Sequence, residues 1–217
     1  MSAQNPHRNS APIFFGWRVV AGSFVVAAFS WGIGFYGPPI YMETIHASRG
    51  WPVALISAAI TVHFLLGAVI VANLTTLHRV FGLAAVTRAG AVATGLGLIG
   101  WAWAQEPWQP FAATLLSASG WATTSGAALN AMISPWFVRR RPAALSMAFD
   151  GASMGGVVFS PLWVLLISRL GFRSAAVVVA ASAMGVLWVV ASSLLKRTPP
   201  RWGCVRTAIP MAENLLS

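Results

Sequence analysis

The stretch Trp136-Phe137-Val138-Arg139-Arg140-Arg141-Pro142 lies between two long apolar runs, and its reading decides the fold. Three consecutive arginines cannot rest in hydrocarbon, so the loop marks one face of a membrane. The run that follows opens Ala143-Ala144-Leu145-Ser146-Met147-Ala148-Phe149-Asp150-Gly151 and continues to Gly155-Gly156. A helix so rich in small residues lets a neighbouring helix approach closely. Composition agrees. The chain has 217 residues, of which 57% are hydrophobic and 8% charged, against about 25% charged in a soluble domain.

Working outward from the arginines, six apolar runs are each long enough to cross a bilayer core of about 30 Å. They fall at about 14–37, 53–74, 82–104, 110–135, 143–168 and 173–195. The first is too long for the core of a signal peptide, roughly 7–15 residues, and is read as a retained span. The expected organisation is an N-terminal segment 1–12, a six-helix bundle 13–195 and a disordered basic tail 196–217. Connections are short, such as Pro38-Pro39 with Glu43, His46 and Arg49. Arg8, Arg79, Arg139, Arg140, Arg141, Lys196 and Arg197 gather on one side, which places both termini in the cytoplasm. Trp101, Trp103 and Trp108 fit interface anchors at the opposite boundary.

The formal charge of +10 sits at the ends of apolar runs, which excludes nucleic acid as the partner and leaves the bilayer. Cys204 stands alone, so no internal disulfide forms, and no metal site or cofactor motif is expected. Catalytic signatures such as Gly-x-Ser-x-Gly or His-Glu-x-x-His are missing, so the chain is not read as an enzyme.

Two linkers echo each other: Arg79-Val80-Phe81-Gly82-Leu83-Ala84-Ala85-Val86 and Arg169-Leu170-Gly171-Phe172-Arg173-Ser174-Ala175-Ala176-Val177. They lie on opposite membrane sides, as in a three-plus-three inverted repeat or by chance in an Ala/Val-rich chain. In the fourth run Ser119, Thr123, Gly126, Asn130 and Ser134 recur at helical spacing. Such a polar stripe fits a solute path or helix–helix packing. Gly32, Gly34, Gly151, Gly155 and Gly156 are read as packing positions.

His63 is about ten residues into the second run, roughly 15 Å deep. That is midplane depth, where a histidine fits a binding site, a proton relay or a bonded core position. Arg88 and Asp150 are roughly 9–12 Å deep, and intramembrane charges seek partners. An Arg88–Asp150 clamp near an inner gate, with Arg79 and the three arginines close by, is the natural expectation. Alternatively Arg88 lines the solute path or snorkels.

Six spans with Trp136-Phe137-x-Arg139-Arg140-Arg141-x-Ala143 and Gly151-x-x-x-Gly155 resemble the major facilitator superfamily. More narrowly, the pattern is similar to the branch of monocarboxylate transporters and oxalate–formate exchangers, with Gly16-Trp17 and Gly32-x-Gly34 in keeping. The resemblance covers about residues 13–195. It implies an all-α integral membrane fold, one half of a twelve-span carrier. It also implies alternating-access transport of a small organic solute, often a carboxylate, by proton symport or exchange across a bacterial inner membrane. The chain departs from the family in two ways. Leu77-His78-Arg79-Val80-Phe81-Gly82 keeps a basic residue and glycine but lacks the usual acid, for which Asp150 is the substitute. One half implies a second six-helix half, a homodimer, or a non-transporting module or inactive remnant of a truncated gene.

Overall fold

Eight helices make up most of residues 15–195, which the computed structural model describes. They are α1 (Phe15–Gly34), α2 (Gly37–Arg49), α3 (Val53–Ala72), α4 (Leu74–Phe81), α5 (Leu83–Trp103), α6 (Gln109–Ala122), α7 (Gly126–Ile133) and α8 (Arg141–Ser193). Among the described residues there is no strand. Residues 15–49, 53–72, 83–103 and 141–193 are each helical, long and apolar enough to cross a bilayer. In hydrocarbon the backbone must satisfy its own hydrogen bonds, and helices do so within one segment. The segment 1–12, the tail 196–217 and Cys204 lie outside the described residues.

The segment after the first span is more ordered than its prolines foretold. Pro38 and Pro39 occupy the opening turn of α2, where the missing N–H has no helical acceptor to lose. The helix ends at Gly50, which is left-handed (φ 68°) and donates its N–H to His46 O. Residues 37–49 are therefore a helix rather than an irregular connection.

The helix α8 contains 53 residues, which as a straight rod would run about 80 Å. Yet both ends meet one region of α1. A Cβ on Gly151 would strike the backbone of Phe24, and a Cβ on Gly22 would strike Leu194. The chain must double back, and Gly171 is where it does (φ 76°, ψ 162°). The first leg runs parallel to α1, with Gly155 against Ala28 and Phe159 against Gly32. The second returns along α5, with Met184 against Gly95 and Trp188 beneath Arg88.

Gly82, between α4 and α5, takes almost the same conformation (φ 80°, ψ 150°). The two echoing linkers thus share one backbone turn in a region that essentially only glycine enters. A Cβ at either glycine would meet nothing within 4 Å, so strain alone governs substitution. Gly82→Ala and Gly171→Ala should each cost about 1–3 kcal/mol, read as a lower thermal midpoint of the detergent-solubilised protein. An unchanged midpoint in both would refute the turn assignment.

Inside, two apolar clusters form. One contains Ile33, Tyr41, Leu98 and Trp163; the other contains Ala27, Ala91, Leu129 and Met132. On α1, Ser30 falls between Ala27 and Ile33; on α5, Thr94 falls between Ala91 and Leu98. A polar layer therefore lies between the two clusters, and Phe29 packs against both.

Candidate functional site

The polar layer is assembled from α1, α3, α5 and α6. His63, near the middle of α3, is only 3% exposed. Its Nδ1 lies 2.9 Å from Ser117 Oγ on α6, and Trp101 Nε1 on α5 donates to the same oxygen at 3.3 Å. An indole N–H can only donate, so Ser117 accepts from Trp101. With one lone pair and one hydrogen left, Ser117 Oγ can accept from a His63 Nδ1–H or donate to a bare Nδ1, which are the two ring tautomers. On α1, Ser30 Oγ accepts from Thr124 Oγ1 at 2.9 Å.

Trp121 closes the layer. Its indole fits a notch made by two glycines: a Cβ on Gly67 would lie 3.0 Å from Trp121 Cε3, and one on Gly34 would strike Cδ1. Phe64 stacks edge-on at 5.4 Å and the His63 ring lies 6.0 Å away. Any larger residue at 34 or 67 would push the indole out.

Three buried polar atoms here have no partner: His63 Nε2, Trp121 Nε1 and Thr94 Oγ1. Each unsatisfied buried group costs about 1–3 kcal/mol. All three residues line a small cavity of about 20 Å³, together with Ser30, Tyr41, Trp101 and Ser117. Pro38 and Ile60 also line a wider, open cleft of about 1130 Å³ between α2, α3 and the first leg of α8. That cleft carries Tyr36, Ser57, Thr61, Ser160 and Ser168 on otherwise apolar walls. The cavity therefore adjoins an opening; as it stands it has room for about one water, and a larger polar guest requires its walls to part.

Of the residues read from sequence as lining a path, only His63 lines this cavity. The serine–threonine stripe is interrupted because the helix stops at Ala122 and restarts at Gly126. At the break, Thr123 Oγ1 bonds Ser119 O at 2.9 Å and Gly120 O at 3.0 Å, and Ser125 Oγ bonds Ala122 O. Ser119 Oγ likewise bonds Leu115 O. At Gly120 O and Ala122 O these hydroxyls bond carbonyls next to the break, whereas Ser119 O also accepts from Thr123 N at 3.2 Å. Gly126 packs on Phe149. Asn130 is exposed, and its Oδ1 accepts from Arg141 at 2.7 Å.

Arg88 and Asp150 are not brought together. Arg88 Nε donates to Ala84 O at 3.1 Å, and its guanidinium lies 5.5 Å from the Trp188 ring. Asp150 is exposed on α8, and no ion pair links the two among the described residues. Arg79, Arg139, Arg140 and Arg141 are exposed as well. The five packing glycines all face a neighbour: Gly32 meets Phe159, Gly34 meets Trp121, Gly151 meets Phe24, Gly155 meets Ala28 and Gly156 meets Tyr36. Trp101 is not an interface anchor. It is 3% exposed, whereas Trp103 is 42% and Trp108 65% exposed, because two residues along a helix turn the side chain to the opposite face.

Thr94, Trp101, Ser117 and Trp121 form the site with His63, yet none stands out from periodicity. The available signal was the spacing Ser117–Trp121, one helical turn, beside glycines on two other helices.

No protein-family model matches the chain. It is 28% identical over 186 residues to monocarboxylate transporter 13 of Bos taurus, covering 84% of this chain and 42% of the relative. Monocarboxylate transporter 11 of Mus musculus is 29% identical over 168 residues, covering 74% and 36%. Monocarboxylate transporter 13 of Rattus norvegicus is 29% identical over 198 residues, covering 88% and 44%. The chain thus spans under half the length of these relatives. Distant similarity to transporters together with apolar helices supports a membrane protein with a transporter-like role.

Proposed function

We propose that the chain carries a small organic solute across a membrane by secondary transport, with the His63 cavity as the solute's station. The observation behind this reading is the group of unpartnered polar atoms at His63, Trp121 and Thr94, mid-bundle and beside an open cleft. Hydrocarbon makes such groups costly, and they persist where a polar guest satisfies them in part of a cycle. Relatives named monocarboxylate transporters favour a carboxylate as that solute.

The finer features belong to the same proposal. The residues 13–195 form one unit of six crossings: α1 with α2, α3 with α4, α5, α6 with α7, and the two legs of α8. This unit corresponds to the amino-terminal half of a major-facilitator carrier, with both termini on the arginine-rich cytoplasmic side of a bacterial inner membrane. Alternating access then requires a second six-helix half.

The test is uptake by proteoliposomes holding the purified chain. Radiolabelled acetate or lactate should enter saturably and faster than into protein-free vesicles. Uptake no faster than in protein-free vesicles would favour a non-transporting module.

A further inference from the structure

We infer that the cavity recognises an oxygen acceptor through uncharged donors, chiefly the Nε2–H of His63 and the indole N–H of Trp121, rather than through a fixed cation. This rests on the transport reading of the site but adds the bond type by which the solute is held. Among the described residues the cavity is lined by no lysine, arginine or carboxylate. Arg88, the cation that sequence placed nearest, is committed to Ala84 O and the Trp188 face.

Ser117 Oγ receives the Trp101 N–H and keeps one lone pair and one hydrogen, either of which can meet His63 Nδ1. We assign the serine hydrogen to Nδ1. The second ring nitrogen then carries hydrogen, and among the described residues it has no acceptor. Trp121 Nε1 is a donor by its chemistry and also has no acceptor. With the rings 6.0 Å apart at 49°, the two N–H groups flank one small space and call for an oxygen with two lone pairs. Thr94 Oγ1, free to donate or accept, is the third contact.

Two sources offer that oxygen, a carboxylate and a neutral carbonyl, and both differ from a solute that can only donate. The experiment is nitrogen-15 NMR of histidine-labelled protein in nanodiscs, with His7, His46 and His78 replaced by Gln so that His63 alone reports. The free protein should show His63 as the Nε2–H tautomer. Titrating acetate should shift that resonance saturably. A comparable shift with acetamide would assign recognition to the oxygen itself, whereas a shift with acetate alone would make it specific to the anion. Methylammonium should do nothing. An Nδ1–H tautomer, or a resonance that neither acetate nor acetamide moves, would overturn the inference.

Two substitutions separate the bonds. In His63→Gln the amide nitrogen stands in for Nε2, whereas in His63→Asn it stands in for Nδ1 and the cavity donor is lost. Losing one such bond to a carboxylate should weaken acetate binding at least about tenfold in the Asn variant. The Gln variant should stay within about threefold. Equal affinities in the two would count against the inference. A saturable shift without vesicle uptake would sustain the recognition while removing transport. Uptake with no shift would do the reverse.

Discussion

Trp163→Ala is expected to be the most damaging single truncation in the bundle. Trp163 is wholly buried on the first leg of α8. Its Nε1 donates to Gly32 O of α1 at 3.3 Å, and its ring meets Tyr41 of α2 edge-on at 5.0 Å. One side chain thus joins three helices. Removing it leaves a cavity that the neighbours cannot fill without shifting, at about 3–5 kcal/mol. Trp163→Phe keeps much of the volume but removes the donor to Gly32 O, at about 1–3 kcal/mol. Reversible denaturation in detergent micelles measures both. A loss under about 1 kcal/mol for the alanine variant would contradict the assigned packing.

Comparable disruption should follow from adding only a methyl group to the other contact between α1 and α8. A Cβ at Gly151 would collide with the carbonyl of Phe24, and one at Gly155 with that of Ala28. Backbone cannot swing aside as a flexible side chain does, so the helices must separate along their whole contact. Gly151→Ala and Gly155→Ala should each destabilise by about 1–3 kcal/mol, and the double variant by more than either. Gly185→Ala, on the second leg of the same α8, is the control. Its Cβ would meet nothing within 4 Å, so the change should be neutral or stabilising by about 0.5–1 kcal/mol. Thermal midpoints in one detergent compare all four. A drop in Gly185→Ala equal to that in Gly155→Ala would contradict the assignment of the effect to the α1–α8 contact.

The sequence made some of this visible for physical reasons. Long apolar runs bounded by arginines announce membrane helices because no other local structure satisfies the backbone in lipid. The Gly151-x-x-x-Gly155 spacing places both small residues on one face, the face α1 meets. The echoing linkers were readable because a reversal through positive φ demands glycine, at 82 and at 171. What could not be read depends on rotation and breakage. The stripe from Ser119 to Asn130 presumes one continuous helix, and three hydroxyl residues at 123–125 instead accompany its interruption. Which tryptophan faces inward, Trp101 or Trp103, turns on helix phase, which composition does not set. Pro38-Pro39 read as a stop, although a proline in a first turn starts a helix. The partners of His63 come from helices 54 residues apart in sequence, and such pairings emerge only once the bundle is assembled.

Accessibility of the cavity tests the central claim most directly. With Cys204 replaced by Ser, Thr94→Cys places one thiol at the cavity and Leu65→Cys places one on an exposed apolar face of α3. A membrane-impermeant thiosulfonate would be added to proteoliposomes from either side, with and without acetate. A polar cavity serving solute predicts that Thr94→Cys reacts, that acetate slows the reaction, and that Leu65→Cys stays unmodified in lipid. A Thr94→Cys thiol inert from both sides, or one that reacts equally fast with acetate present, would contradict it.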